Sequence, residues 1–95
     1  MTPEEVVSAF CDTLTNEGVK ASLKYIAPNC IYQNMPFPAV TGPEGVDEVL
    51  SGFFETTGPV KIETLKQIAV GNFVSNERID VFDPPGGKKY GLPVA

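Results

Sequence analysis

The chain has 95 residues, a net charge of −5 and 42% hydrophobic residues. This length allows one domain, residues 1–95, and the apolar content excludes a disordered chain. Seven basic against twelve acidic residues argue against nucleic acid or an anionic membrane surface as partner. No apolar run approaches the roughly 18 residues that span a bilayer. The first residues lack the basic and apolar parts of a signal peptide, so a cytoplasmic location is expected.

The chain contains two cysteines and no histidine. Cys11 and Cys30 are expected to be free thiols, the usual state in a cytosolic protein, rather than a disulfide. Without histidine, and without a cluster of metal-ligating residues, no metal is expected. Any acid–base chemistry must therefore use carboxylates, Tyr, Lys or Cys.

Two helices are predicted before residue 30. The first begins at Thr2, with Pro3 in its first turn and Glu5 placed to complete a capping box, and it ends at Gly18. Its apolar stripe consists of Val6, Val7, Phe10, Cys11 and Leu14. A shorter helix follows and ends before Pro28. Both are predicted to be packing elements without a chemical role.

Residues 30–36, with the sequence CIYQNMP, predict a short strand. Tyr32 and Asn34 are two residues apart, so on a strand they share one face. One interpretation is that this face is solvated or that each group binds a backbone partner. The other is that both side chains point into a cavity, where they would hold a water molecule.

The following loop, residues 35–40, is apolar and contains two prolines. It is either a rigid crossover or the mouth of an apolar pocket formed by Met35 and Phe37. Residues 41–44 then begin a third helix. The inner face of this helix carries Val46, Val49, Leu50, Phe53 and Phe54. Such a stripe is typical of a core, and here it is also predicted to line the pocket.

From residue 60 onwards the pattern alternates and predicts a meander of strands. Gly71–Asn72 indicates a tight hairpin, and a last strand begins at Tyr90 and places Leu92 at the pocket. The sequence stops inside that strand. Helix, helix, strand, helix and meander together predict an α+β domain. Three helices would pack on one face of a curved antiparallel or mixed sheet.

Arg78 and Asp80 form a second polar pair with a shared face. At the surface they would be a simple ion pair worth well under about 1 kcal/mol. On the concave side of the sheet they would be buried. A protonated Asp80 there would act as a general acid, and the Arg78 guanidinium would orient it.

Several runs resemble the limonene-1,2-epoxide hydrolase family: residues 32–36 (YQNMP) with Pro38 and Gly42, residues 77–80 (ERID), and residues 92–95 (LPVA). The resemblance covers most of the chain. Either polar pair alone is common, whereas both together in this order of elements are more specific. The resemblance implies the cone-shaped α+β fold of nuclear transport factor 2, ketosteroid isomerase and polyketide cyclases, usually as a homodimer.

The resemblance also implies a cofactor-free, one-step opening of a small apolar epoxide by water to a vicinal diol. Asp80 would protonate the epoxide oxygen, Arg78 would bridge two carboxylates, and Tyr32 and Asn34 would position the water. The family's general base is a second aspartate on a late strand, and it has no counterpart up to Ala95. The chain is therefore expected to be a C-terminally truncated form with its last strands missing and little activity.

Two alternatives remain open. A relative of ketosteroid isomerase or polyketide cyclase would use Tyr32 and Asp80 on an enolisable ketone. A non-catalytic module would bind a small ligand or dimerise through the same apolar cavity. Kinship of fold does not separate these alternatives.

Overall fold

The computed structural model describes residues 1–95, an α+β arrangement of helices and antiparallel strands. In chain order the elements are α1 (Pro3–Asn16), α2 (Val19–Ser22), a 3₁₀ helix (Leu23–Tyr25), β1 (Ile31–Tyr32), β2 (Val40–Thr41), α3 (Gly42–Thr57), β3 (Val60–Val70), β4 (Phe73–Phe82) and β5 (Tyr90–Val94). None of the helices combines the length and the apolar character needed to cross a membrane.

The start of α1 follows from its first residues. Glu5 N donates to Thr2 Oγ1 at 3.2 Å, and Thr2 N donates to Glu5 Oε1 at 3.0 Å, so the predicted capping box is confirmed. The second helix is shorter than expected. Ser22 Oγ donates to Val19 O at 2.6 Å within the single α-helical turn, and the chain then tightens into the 3₁₀ helix.

The main sheet is a meander in the order β3–β4–β5. Gly71 has φ of 57° in the turn that pairs Val70 with Phe73, as the Gly71–Asn72 signal predicts. A separate two-stranded ladder joins β1 to β2. Residues 33–39 therefore connect two paired strands and are not a crossover. Every pairing is antiparallel, so the mixed alternative is not realised.

The register gives the main sheet two different faces. The inner face carries Val60, Ile62 and Thr64 of β3 and Val74, Asn76, Arg78, Asp80 and Phe82 of β4. The outer face carries Lys61, Glu63, Lys66, Ile68 and Val70 of β3 and Phe73, Ser75, Glu77, Ile79 and Val81 of β4. A β-bulge between Thr64 and Lys66 shifts the phase of β3, so its outward residues change from odd to even numbers.

The helices pack on the inner face. The buried core joins α1, α3, β3 and β4 through Leu14, Val46, Leu50, Val60 and Phe82. Ile62 N donates to Thr15 Oγ1 at 2.9 Å and ties α1 to the strand beneath it. This packing leaves a hollow between the helices and the sheet, and the polar pair of β4 lies on the same inner face.

Candidate functional site

A cavity of about 530 Å³ lies between the helices and the inner face of the sheet. Of its 21 lining residues, 18 are hydrophobic, and the other three are Asn34, Arg78 and Asp80. The phenols of Tyr25 and Tyr32 add two further polar groups to the lining. All four polar residues singled out from the sequence therefore meet in one apolar cavity.

Arg78 and Asp80 reach the cavity because alternate residues of β4 face inward. Arg78 Nε donates to Asp80 Oδ1 at 2.8 Å. Their side chains retain only 28% and 16% of their exposure, so the pair is not the freely solvated surface pair of the first interpretation. Arg78 binds one oxygen of the carboxyl group and leaves Oδ2 without a protein hydrogen bond.

Tyr32, at the end of β1, is half-buried in the cavity wall. Burial raises the pKa of the Tyr32 phenol, the Arg78 guanidinium acts in the opposite direction, and the Asp80 charge raises the pKa further. The phenol therefore keeps its proton throughout the neutral range and is available as a hydrogen-bond donor.

Asn34 lines the cavity from a turn and not from the predicted strand. β1 ends at Tyr32, so the expectation of a strand through Asn34 is wrong. Phe37 N donates to Asn34 O at 2.8 Å, and Gln33 Nε2 donates to Phe37 O at 2.9 Å. These bonds form a turn in place of a strand ladder, and the turn sets Asn34 at the exposed rim of the cavity.

The family model of the limonene-1,2-epoxide hydrolase catalytic domain matches residues 1–94 of this chain. The chain belongs to the limonene-1,2-epoxide hydrolase family.

Several solved structures share the fold of this chain. The chain is similar to an LEH-like epoxide hydrolase of M. tuberculosis, with a TM-score of 0.78 and 22% identity over 97% of this chain and 68% of that one. It is similar to a hypothetical protein of Catenulispora acidiphila with a ketosteroid isomerase-like fold, solved with trimethylamine (TM-score 0.81, 20% identity, 98% and 72% covered). A putative SnoaL-like polyketide cyclase of Shewanella denitrificans also matches (TM-score 0.73, 14% identity, 96% and 72% covered).

Identities this low show the fold alone. That fold is the nuclear transport factor 2-like α+β fold that the sequence predicts. The relationship to the epoxide hydrolase family itself comes from the match over residues 1–94.

The six predicted pocket residues all line the cavity of this limonene-1,2-epoxide hydrolase family member. Leu50 is buried at its base, next to the core. Met35 and Phe37 are 75% and 56% exposed, so they form the outer rim. The remaining predicted pocket residues are Phe53, Phe54 and Leu92. The cavity is thus deep on the side of α3 and open on the side of the loop.

The contribution of α1 to the cavity wall was not predicted from the sequence. The first helix was predicted as a packing element without a chemical role, and its apolar stripe lines the cavity in addition to packing on the sheet. That stripe was visible in the sequence, but its spacing is the same for a packed core and for a cavity wall. One of its residues, Cys11, is a buried free thiol. Burial raises the pKa of Cys11, Arg78 lowers it, and Asp12 and Asp80 raise it.

Proposed function

We propose that this chain adds water to a small apolar epoxide and releases a vicinal diol in one step, without a cofactor. The observation that carries the proposal is the Arg78–Asp80 pair, joined by a 2.8 Å bond, inside an otherwise apolar cavity. Membership of the limonene-1,2-epoxide hydrolase family supports it. A lining that is almost entirely hydrophobic favours an uncharged, apolar substrate.

Asp80 is the proposed general acid. When its free oxygen Oδ2 carries the proton, that proton passes to the epoxide oxygen as the carbon–oxygen bond of the ring breaks. Arg78 holds the other oxygen, Oδ1, and so keeps the carboxyl group in one orientation. The epoxide oxygen becomes one hydroxyl group of the diol.

Water supplies the second hydroxyl group. The Tyr32 hydroxyl and the Asn34 carboxamide are the proposed partners that hold this water while its oxygen bonds to the ring carbon. The attacking water then releases one proton, which returns through solvent water to the Asp80 carboxylate. The acid is restored, and the sum of the reaction is epoxide plus water giving diol.

Asp80 is the only acidic residue that lines the cavity. Asp83 is exposed in the turn after β4 and does not reach it. Within residues 1–95, therefore, no second carboxylate takes the proton from the attacking water. A positioned general base contributes on the order of 10²–10⁴ in rate, so we expect slow turnover from these residues alone.

Hydrolysis of cyclohexene oxide in ¹⁸O-labelled water tests the proposal. The purified chain should form diol above the uncatalysed rate with one ¹⁸O atom per molecule, and Asp80→Asn should lose that activity while remaining folded. Glu77→Gln is the matched control, because Glu77 lies on the same strand but on the outer face. Equal diol formation by Asp80→Asn, or none by the folded parent chain, would contradict the proposal.

A second candidate is enolisation of a ketone, because the chain shares its fold with a ketosteroid isomerase-like protein and a putative SnoaL-like polyketide cyclase. The protonated Tyr32 phenol would bind the carbonyl oxygen, and the Asp80 carboxylate would accept the adjacent proton. Isomerisation of a β,γ-unsaturated steroid ketone, followed by ultraviolet absorbance, tests it. Isomerisation without epoxide turnover would favour this candidate over the first.

We also propose that the chain is a homodimer in which a second copy covers the outer face. Ile68 and Phe73, both on that face, are 53% and 68% exposed. Lys66 and Glu77 face each other between the apolar positions. Exposed apolar side chains with charged residues between them are typical of a protein–protein interface.

A further inference from the structure

Aromatic side chains are concentrated around the cavity. The chain has nine of them, three Tyr and six Phe. All line the cavity except Phe73 and Tyr90, which makes seven of the 21 lining residues aromatic. One third of the wall is thus aromatic in a chain that is 9% aromatic overall. Such a wall offers a ligand the faces and edges of rings as well as apolar area.

Three of these rings form a cluster made of Phe53, Phe54 and Phe82. The centroid of Phe53 lies 5.9 Å from that of Phe54 and 5.8 Å from that of Phe82, at interplanar angles of 69° and 66°. The third pair, Phe54 and Phe82, is 6.3 Å apart. Because each ring is held by the other two, a ligand meets a pre-oriented aromatic surface. Phe53 remains 37% exposed whereas Phe82 is 3% exposed, so Phe53 supplies the part of the cluster that a ligand can contact.

The cluster lies close to the proposed acid along one strand. Phe82 follows Asp80 by two residues and shares the inner face of β4 with it. Two residues of an extended strand span roughly 7 Å. A ligand ring against the cluster therefore lies in the same cavity and beside the same face of β4 as Asp80.

Hydrophobic burial and aromatic contact predict opposite preferences between a phenyl ligand and its saturated cyclohexyl counterpart. Burial scales with apolar area, and a cyclohexyl group has at least as much apolar area as a phenyl group. A cavity that is only apolar would bind the cyclohexyl compound as well or better. Edge-to-face contact adds attraction for the phenyl ring alone, because only that ring has a quadrupole.

We infer that the ligand of this cavity is an aryl-substituted epoxide, with its ring on the Phe53–Phe54–Phe82 cluster and its oxirane at Asp80. The identity of the reacting group rests on the proposed function. The preference for an aromatic ring is a property of binding and stands apart from the chemistry. The inference narrows the substrate class from apolar epoxides in general to those with an aromatic ring.

Binding of two stable diols tests the ring preference without any turnover. Dissociation constants of 1-phenylethane-1,2-diol and 1-cyclohexylethane-1,2-diol are measured by NMR titration of the full chain. The phenyl diol should bind about three- to tenfold more tightly, the factor that one aromatic contact supplies. Phe53→Leu should bring the two constants together. Phe73→Leu, at an aromatic residue outside the cavity, should leave their ratio unchanged.

Three results would overturn the inference: equal or tighter binding of the cyclohexyl diol, binding of neither diol at millimolar concentration, or a phenyl preference that survives in Phe53→Leu. Turnover is measured separately with phenyloxirane and cyclohexyloxirane. If neither oxirane is hydrolysed while the phenyl diol still binds more tightly, the proposed hydrolysis fails and the ring preference remains. If both are hydrolysed but the diols bind equally, the hydrolysis remains and the ring preference fails.

Discussion

Arg78 Nε donates a 2.8 Å hydrogen bond to Asp80 Oδ1, and only one residue separates the two in the chain. Alternate residues of β4 face the same side, so the strand assembles this ion pair without help from a distant segment. The rest of the fold supplies the surroundings, because helices packed on the inner face exclude most of the solvent from the pair. Local geometry thus gives the pair, and tertiary packing gives its apolar environment.

Arg78→Lys tests whether the shape of the guanidinium matters. Lysine keeps the positive charge but loses the planar N–H geometry that fixes the carboxyl group, so diol formation should fall at least about tenfold. The free energy of unfolding should change by less than about 1 kcal/mol, because both side chains keep some contact with solvent. Measurements of kcat/KM and of urea unfolding check these two expectations. Lys61→Arg on the outer face is the control, and an unchanged rate in Arg78→Lys would remove the orienting role.

Alkaline pH should destabilise the fold through Cys11 and Tyr32. Burial raises the pKa of the Cys11 thiol above its ordinary value of 9.0 and that of the Tyr32 phenol above 10.0. The unfolded chain loses these protons first, so stability is fully present below about pH 9 and falls as the pH rises through the folded-state pKa values. Urea midpoints between pH 7 and pH 11 measure the fall.

The double variant Cys11→Val with Tyr32→Phe is the comparison for this pH dependence. Neither replacement titrates, so the double variant should lose less stability between pH 8.5 and pH 11 than the parent chain. Cys30→Val is the control, because that thiol lies outside the cavity. Identical slopes for parent and double variant would show that other groups govern the alkaline transition.

The sequence predicts those parts of the fold that rest on local signals. The capping box at Thr2 and Glu5 and the hairpin at Gly71–Asn72 involve residues close together in the chain, and both are confirmed. The inward pairing of Arg78 with Asp80 follows from alternation within one strand. Each of these features needs only the residues that form it.

Other features were hidden because they depend on specific distant or side-chain contacts. β1 ends before Asn34, where the Gln33 side-chain amide donates to Phe37 O. The spacing of apolar residues in the sequence does not indicate such a side-chain contact. The bulge after Thr64 changes the phase of β3 without changing its apolar content. The role of α1 in the cavity wall was not predictable, because an apolar stripe does not reveal whether its partner is side chain or empty space.

Gln33→Glu tests the turn that holds the rim of the cavity. Glutamate keeps the shape of the side chain but has no N–H group, so the bond to Phe37 O is lost. One hydrogen bond of this kind contributes about 0.5–1.5 kcal/mol, so KM for the epoxide should rise about two- to tenfold as Asn34 and Phe37 lose their fixed positions. The same bond contributes to stability, so the thermal midpoint should also fall by a few degrees.

Asn29→Asp is the matched control for Gln33→Glu. It makes the same change from amide to acid at a nearby exposed residue that makes no side-chain hydrogen bond and lies outside the cavity. Its KM should equal that of the parent chain. A KM in Gln33→Glu that equals the control value would show that the turn does not position the rim for substrate.

Ile68→Lys tests the proposed homodimer. The parent chain of 10.2 kDa should sediment as a species of twice that mass, and a lysine at this position of the outer face should shift it to monomer by burying an unpaired charge in the interface. Ala69→Lys is the control, because Ala69 is exposed but its side chain leaves the opposite face of the same strand. Sedimentation velocity over a range of concentrations distinguishes the species. A parent chain that remains monomeric, or dimers that survive Ile68→Lys but not Ala69→Lys, would place the interface elsewhere or remove it.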